Sequence, residues 1–125
     1  MTLILASGSA ARRQMLAGAG LEFSVIPADL DETAIIQAAR QQKKSALECA
    51  QILADEKALS VSKINPRALV IGSDQIMQCE DMWLEKALNT EQARQKLKFL
   101  RSKTHEAISA VSVVQDGKIL WRYTE

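Results

Sequence analysis

The sequence predicts an α/β domain built on a mixed, twisted sheet flanked by helices, with residues 1–125 forming one domain. Three observations carry this. Short apolar runs alternate with stretches of helical periodicity along the chain. The run ALVIGSDQIM (68–77) is almost continuously apolar, as expected of a strand covered on both faces. Near the C-terminus, HEAISAVSVV and ILWRYT flank QDGK, whose Asp-Gly pair is a strong signal for a two-residue hairpin turn.

Taken in order, residues 3–6 read as a short buried strand. Ser9 is placed to cap a helix over residues 10–19, with Met15, Leu16 and Ala19 on its apolar side. Gly18 and Gly20 end it. Residues 22–26 read as a second strand, stopped by Pro27. The segment 28–44 opens with the acidic turn ADLDE and holds a short helix around 35–40, with Asp31-Glu32 as a helix-start signal. The clearest helix covers 45–63. Ser45 and Glu48 form a capping box, and Leu47, Ala50, Ala54, Ala58 and Val61 recur at helical spacing. Asn65 and Pro66 break it. The strand at 68–77 follows, interrupted by Gly72-Ser73-Asp74, then a helix from Asn89 or Thr90 to about residue 100, and then the hairpin.

Composition narrows the function classes. The chain is 47% apolar and 25% charged, with a net charge of +1, which excludes the basic excess of a general nucleic-acid binder. No apolar run approaches the ~20 residues that span a membrane, and MTLILASG lacks the basic n-region and long h-region of a signal peptide. Cys49 and Cys79 form no CxxC pair and read as free thiols in a reducing, cytoplasmic setting. With His105 as the single histidine, a zinc site is disfavoured, and a histidine heading a hairpin reads as structural.

The chemistry gathers in two places. In SGSAARR, Ser7-Gly8-Ser9 stands at a strand's carboxyl end, where open α/β sheets bind ligands. A helix N-terminus with free N–H groups follows, which is an anion site. Arg12 and Arg13 in that first turn oppose the helix dipole, and a bound polyphosphate would make their placement favourable. The alternative is a solvated helix start with outward-pointing arginines. The pattern is not a P-loop. The second place is Asp74, at what reads as the same sheet edge. A carboxylate facing a cationic loop there could hold a hard cation or activate water, or it could simply end a strand. Lys57, at the edge of its helix's apolar stripe, would ordinarily snorkel, and Lys86 would ordinarily be one more exposed lysine.

Together these pieces resemble the Maf family of nucleoside triphosphate pyrophosphatases. The matching segments are LILASGS with Arg12 and Arg13, LDE at 30–32, LADEKA around Lys57, VIGSDQ at 70–75, LEKA around Lys86 and RSKTHEAISAVSVV. They follow the family's order and spacing. The resemblance implies a Maf/ITPase-like fold and hydrolysis of a nucleoside triphosphate to the monophosphate and pyrophosphate with Mg²⁺ or Mn²⁺. It matches Asp74 to the proton acceptor and Ser7, Ser9, Arg12, Glu32, Lys57 and Lys86 to polar pocket positions, with Arg13 beside them. Glu32 and Asp74 would hold the metal. Arg12, Lys57 and Lys86 would neutralise the triphosphate and the leaving pyrophosphate. Ala11 and Gln75 fall where the family selects its base. S-D-Q resembles the 7-methyl-GTP branch, whereas the dTTP/UTP branch more often shows A-D-T. That methylguanine branch often carries a bulky aromatic at the position of Ala11.

There are departures. Ala10 and Ala87 replace family prolines, which should loosen the phosphate loop without removing its donors. The family chain continues past residue 125 with a second lobe, so the resemblance leads us to expect that the C-terminal lobe is missing. Two further readings follow: a nucleotide-binding but inactive domain, and a fold-only interaction protein. An uncovered sheet edge could self-associate, in the simplest case as a homodimer. The presence of Asp74, Lys57 and Lys86 together argues against the fold-only reading.

Overall fold

The computed structural model describes residues 2–7, 10–79, 82–84, 94 and 105–124. In chain order these form β1 (Leu3–Leu5), α1 (Ala10–Gly18), β2 (Ser24–Val25), α2 (Glu32–Gln41), α3 (Ala46–Ile64), β3 (Leu69–Cys79), β4 (Met82–Leu84), β5 (His105–Gln115) and β6 (Lys118–Thr124). The described strands form one mixed sheet in the order β2-β1-β3-β5-β6, with β4 also on β3. The first three strands run parallel, with Ile4 opposite both Ser24 and Val70. β3 pairs antiparallel with β5, β5 with β6, and β4 with the far end of β3. This is the α/β architecture expected from the sequence.

α3 is the main cover of one sheet face. Its capping box forms: Ser45 Oγ accepts from Glu48 N at 3.1 Å, and Glu48 Oε1 accepts from Ser45 N at 3.1 Å. Two apolar clusters lie beneath it. Ala58 and Val61 pack on Ile4, Ala6, Val70 and Val114; Cys49, Ala50, Leu53 and Ala54 pack on Ile76, Ile108 and Ala110. The alternation of small residues lets α3 approach closely at Gly72. A Cβ there would lie 2.3 Å from Ala54 O and 2.8 Å from Ala58 N. Glycine is therefore required by the packing, and its strand φ is ordinary.

The far end of the sheet is tied to α3 by a polar cluster that the sequence did not signal. Asp55, buried on α3, accepts from Gln51 Nε2 at 2.9 Å and from Ser112 Oγ of β5, and pairs with Arg122 Nη2 of β6 at 2.8 Å. The β5–β6 connection is a two-residue turn with Asp116 and Gly117 both at positive φ, the hairpin geometry that Asp-Gly predicts. β6 carries an extra residue, Leu120, between Ile119 (opposite Val114) and Trp121 (opposite Val113). The bulge returns Arg122 to the α3 face to meet Asp55. It sends Trp121 and Tyr123 to the other face, where their rings stack at 5.9 Å.

Several expectations are corrected. Met15 is 73% exposed, and Leu47 and Ala19 are also exposed, so the apolar sides assigned to α1 and α3 are narrower than the spacing suggested. Leu53 and Cys49 fill α3's buried side instead. Gly72-Ser73-Asp74 does not interrupt β3, because pairing with β5 runs unbroken from Val70 to Cys79. α2 starts at Glu32, with Asp31 Oδ1 capping Ala34 N at 3.1 Å. β4 was not anticipated. Of the helix expected after Asn89 or Thr90 only residue 94 is described, and it is helical; Ser9 as a cap and Lys86 lie outside the described residues. No helix among the described residues is long and apolar enough to cross a membrane.

Candidate functional site

The site begins with a gap in the sheet. β1 pairs with β3 only as far as Ile71, with Ala6 N donating to Ile71 O at 2.9 Å, and β4 joins β3 only from Met77. Between them, residues 72–76 of β3 have β5 on one side and no described strand on the other. β1 itself ends at Leu5. This crevice lies beyond the carboxyl end of β1, where open α/β sheets place ligands.

Three elements deliver charge to it. Asp74 projects from β3 on the α3 face, like Gly72. Lys57 descends from α3, one residue before Ala58, which packs on the sheet. Glu32 stands in the first turn of α2, where its charge suits the helix dipole. Lys57 Nζ bonds Asp74 Oδ1 at 2.9 Å and Glu32 Oε1 at 2.8 Å, and it approaches Ser73 O at 3.5 Å. The Lys57 and Asp74 side chains are each 13% exposed, while Glu32 is half-exposed. Lys57 therefore does not snorkel to solvent. From α1, Arg12 Nη1 donates to Ser7 Oγ at 3.2 Å, and Arg12 also acts on Asp74 electrostatically.

Burial pushes the Asp74 carboxyl above the usual carboxylate range. The Lys57 hydrogen bond and charge pull it back, Glu32 pushes it further up, and Arg12 pulls it down, with burial prevailing. Burial also pushes the Cys49 thiol up, and the Asp74 charge adds to this. A carboxyl raised by burial beside a lysine and an arginine suits proton transfer.

The structure thus brings Ser7, Arg12, Glu32, Lys57 and Asp74 to one crevice. Gln75 follows Asp74 on β3 and is exposed. Ala11 lies in α1 beside Arg12, and Arg13 is exposed on the same helix. Ser9 and Lys86 lie outside the described residues. Sequence reasoning passed over Ser73, which is buried with no hydrogen-bond partner for its Oγ among the described residues. A hydroxyl in the middle of an apolar strand was the available signal.

The donor set fits a divalent cation of one kind. Oxygens of Glu32 and Asp74 converge on one point of positive charge, now Lys57 Nζ. Hard cations such as Mg²⁺ are commonly held by one or two carboxylates and completed by substrate phosphates. Among the described residues, no group of three or more His, Cys, Asp or Glu side chains forms an all-protein cage.

An open mixed sheet with a carboxylate–lysine cluster beside its parallel strand end is an α/β architecture of the kind that places ligands at such an edge. Residues 2–125 match the Maf-like protein family, and the chain belongs to it. It is 43% identical over 122 residues to a nucleoside triphosphate pyrophosphatase of Paramagnetospirillum magneticum, covering 98% of this chain and 63% of that protein. It is also 43% identical over 121 residues to a 7-methyl-GTP pyrophosphatase of Brucella abortus, covering 97% of this chain and 61% of that protein. The chain thus spans a little under two thirds of the length of these relatives. A crystal structure of a nucleoside-triphosphatase (dITP/XTP pyrophosphatase) from Mycobacterium abscessus aligns with a TM-score of 0.53 at 14% identity, over 99% of this chain and 72% of that one, a likeness of fold.

Proposed function

We propose that this domain binds a nucleoside triphosphate in the crevice and hydrolyses it to the monophosphate and pyrophosphate. The observation that carries this is Lys57, buried and shared between Glu32 and Asp74. It is supported by the name of the P. magneticum relative. Arg12, Ser7 and the loop after β1 bind the phosphates. Asp74, its carboxyl raised toward neutrality, accepts the proton of the water that attacks the α-phosphorus. The bond from that phosphorus to the bridging oxygen breaks, and pyrophosphate leaves with the electron pair. Lys57 and Arg12 stabilise the charge that develops on it. Ser9, Arg13 and Lys86 belong to the same phosphate-binding set. Glu32 and Asp74 would hold Mg²⁺ or Mn²⁺, which polarises the phosphoryl oxygens when bound.

For the base, the reading leans to 7-methyl-GTP. S-D-Q with Gln75 beside the acid supports it, as does the name of the B. abortus relative. Ala11 offers no stacking surface from its side chain, which keeps dTTP or UTP as the second choice. A cytoplasmic location suits such a substrate. The exposed Leu120, Trp121 and Tyr123 on edge strand β6 support self-association as a homodimer.

The test is pyrophosphate release by the purified chain with Mg²⁺ or Mn²⁺ over dTTP, UTP, CTP, GTP and 7-methyl-GTP. Release from one or two of these is expected. No release from any by the folded protein would reduce the site to a nucleotide-binding domain.

A further inference from the structure

We propose that Ser73 is a substrate-contacting residue whose hydroxyl donates to a phosphoryl oxygen of the bound triphosphate, an inference that rests on the nucleotide reading above.

Ser73 is 8% exposed, and its Oγ has no hydrogen-bond partner among the described residues. A buried hydroxyl left unpaired carries an uncompensated desolvation cost, so nearly all such groups are satisfied in native proteins. Alanine would fill this strand position without that cost. Among the described residues this donor has nothing to donate to.

Its placement says what it awaits. Gly72 abuts Ala54 and Ala58, and Asp74 meets Lys57, so both side-chain directions point to α3. Ser73, between them, points to the opposite face. On β1, Ile4 and Ala6 pack with α3, so Leu5 and Ser7 share the face of Ser73. The β1–β3 pairing ends at Leu5 opposite Ile71, with Ala6 N still donating to Ile71 O, and the same register continued by two residues would set Ser7 level with Ser73. Ser7 is itself buried, and its Oγ takes the Arg12 guanidinium at 3.2 Å. The unpaired hydroxyl thus lies on the face of Ser7, whose Arg12 partner also acts on the neighbouring Asp74. A cation at that spot repels a second donor and favours an anionic acceptor. A phosphoryl oxygen is an anionic acceptor and forms the stronger, charge-assisted kind of hydrogen bond.

The test compares wild type, Ser73→Ala and Ser73→Cys. Calorimetry measures the binding of a non-hydrolysable α,β-imido triphosphate and, separately, inorganic tripolyphosphate. Thermal melting is followed without ligand. Expected are a ligand-free Ser73→Ala that melts at or above the wild-type temperature and a Kd weaker by about 10-fold or more for both ligands. Ser73→Cys, which keeps the volume with a poor donor, should weaken binding in the same direction. Unchanged affinity in Ser73→Ala would overturn the inference while leaving the nucleotide reading intact. So would a loss confined to the nucleotide and absent with tripolyphosphate, or a ligand-free variant that melts well below wild type. Failure of wild type to bind either ligand would instead overturn the nucleotide reading.

Discussion

Lys57 Nζ lies 2.9 Å from Asp74 Oδ1, joining the middle of α3 to the middle of β3 with both side chains largely out of water. The same ammonium holds Glu32 of α2 at 2.8 Å. One cation therefore sets the spacing of two carboxylates that would otherwise repel each other. Lys57→Met keeps most of the stem and deletes the charge. We expect pyrophosphate release to fall on the order of 10²-fold, as when one electrostatic stabiliser of a transition state is removed. Steady-state assays on a variant with wild-type circular dichroism check this, and wild-type turnover would remove Lys57 from the mechanism.

The raised Asp74 carboxyl has a consequence for stability. Burial, the largest cause, pushes it up despite Lys57, so the native state holds this proton more tightly than the unfolded chain does. Its contribution is fully present below the unfolded value and is lost as pH rises through the higher folded one. At neutral pH the ionised Asp74 is a net cost. Asp74→Asn should therefore be at least as stable as wild type at pH 7 in EDTA, with the difference shrinking toward acid pH. Its turnover should fall on the order of 10³-fold while triphosphate binding persists. Urea titrations across pH and a binding assay measure the two halves separately.

What was legible in the sequence was what local chemistry dictates. The Ser45–Glu48 box, the Asp-Gly turn and the break at Asn65-Pro66 each follow from neighbouring residues, and each appears in the structure. Arg12 with Ser7, and the convergence of Glu32, Lys57 and Asp74, followed from the motif set, since nothing local relates residue 32 to residue 74. The misses are tertiary. Met15 and Leu47 fit a helical stripe, but what each face meets depends on the placement of the sheet. Asp55 looked like any helix carboxylate because its partners, Ser112 and Arg122, lie far along the chain. Ser73 was read as part of a strand break because the continuous pairing with β5 is not visible from residues 72–74 alone.

Gly72 controls how closely α3 rides on the sheet. The added methyl of Gly72→Ala would meet the backbone of Ala54 and Ala58, which cannot move aside alone. We expect a loss of about 1–3 kcal/mol in urea unfolding, the usual range for overpacking. Because α3 carries Lys57 and β3 carries Asp74, turnover should fall as well.

The Asp55 cluster gives a sharper stability test. Ser112→Ala removes one donor from a buried carboxylate and the acceptor that Gln51 Nε2 meets at 2.8 Å, while the bonds of Gln51 and Arg122 to Asp55 remain. The expected cost is about 1–3 kcal/mol, that of leaving a buried polar group short of a partner. In a double-mutant cycle, Asp55→Asn with Ser112→Ala should show coupling above 0.5 kcal/mol, roughly the threshold for residues in contact.

The division of labour between α1 and α3 can be measured with two truncations. Leu53 of α3 is 1% exposed and packs in the cluster under α2 and β5, so Leu53→Ala should open a cavity costing about 2–5 kcal/mol. Met15 of α1 stands in solvent, and Met15→Ala should change stability by no more than about 0.5 kcal/mol. Both remove a long apolar side chain from a helix, so propensity differs little between them. The gap between the two therefore reports packing. Comparable losses from both, read as urea midpoints at unchanged m, would mean that Met15 has a partner in solution and that α1 is covered on its outer side.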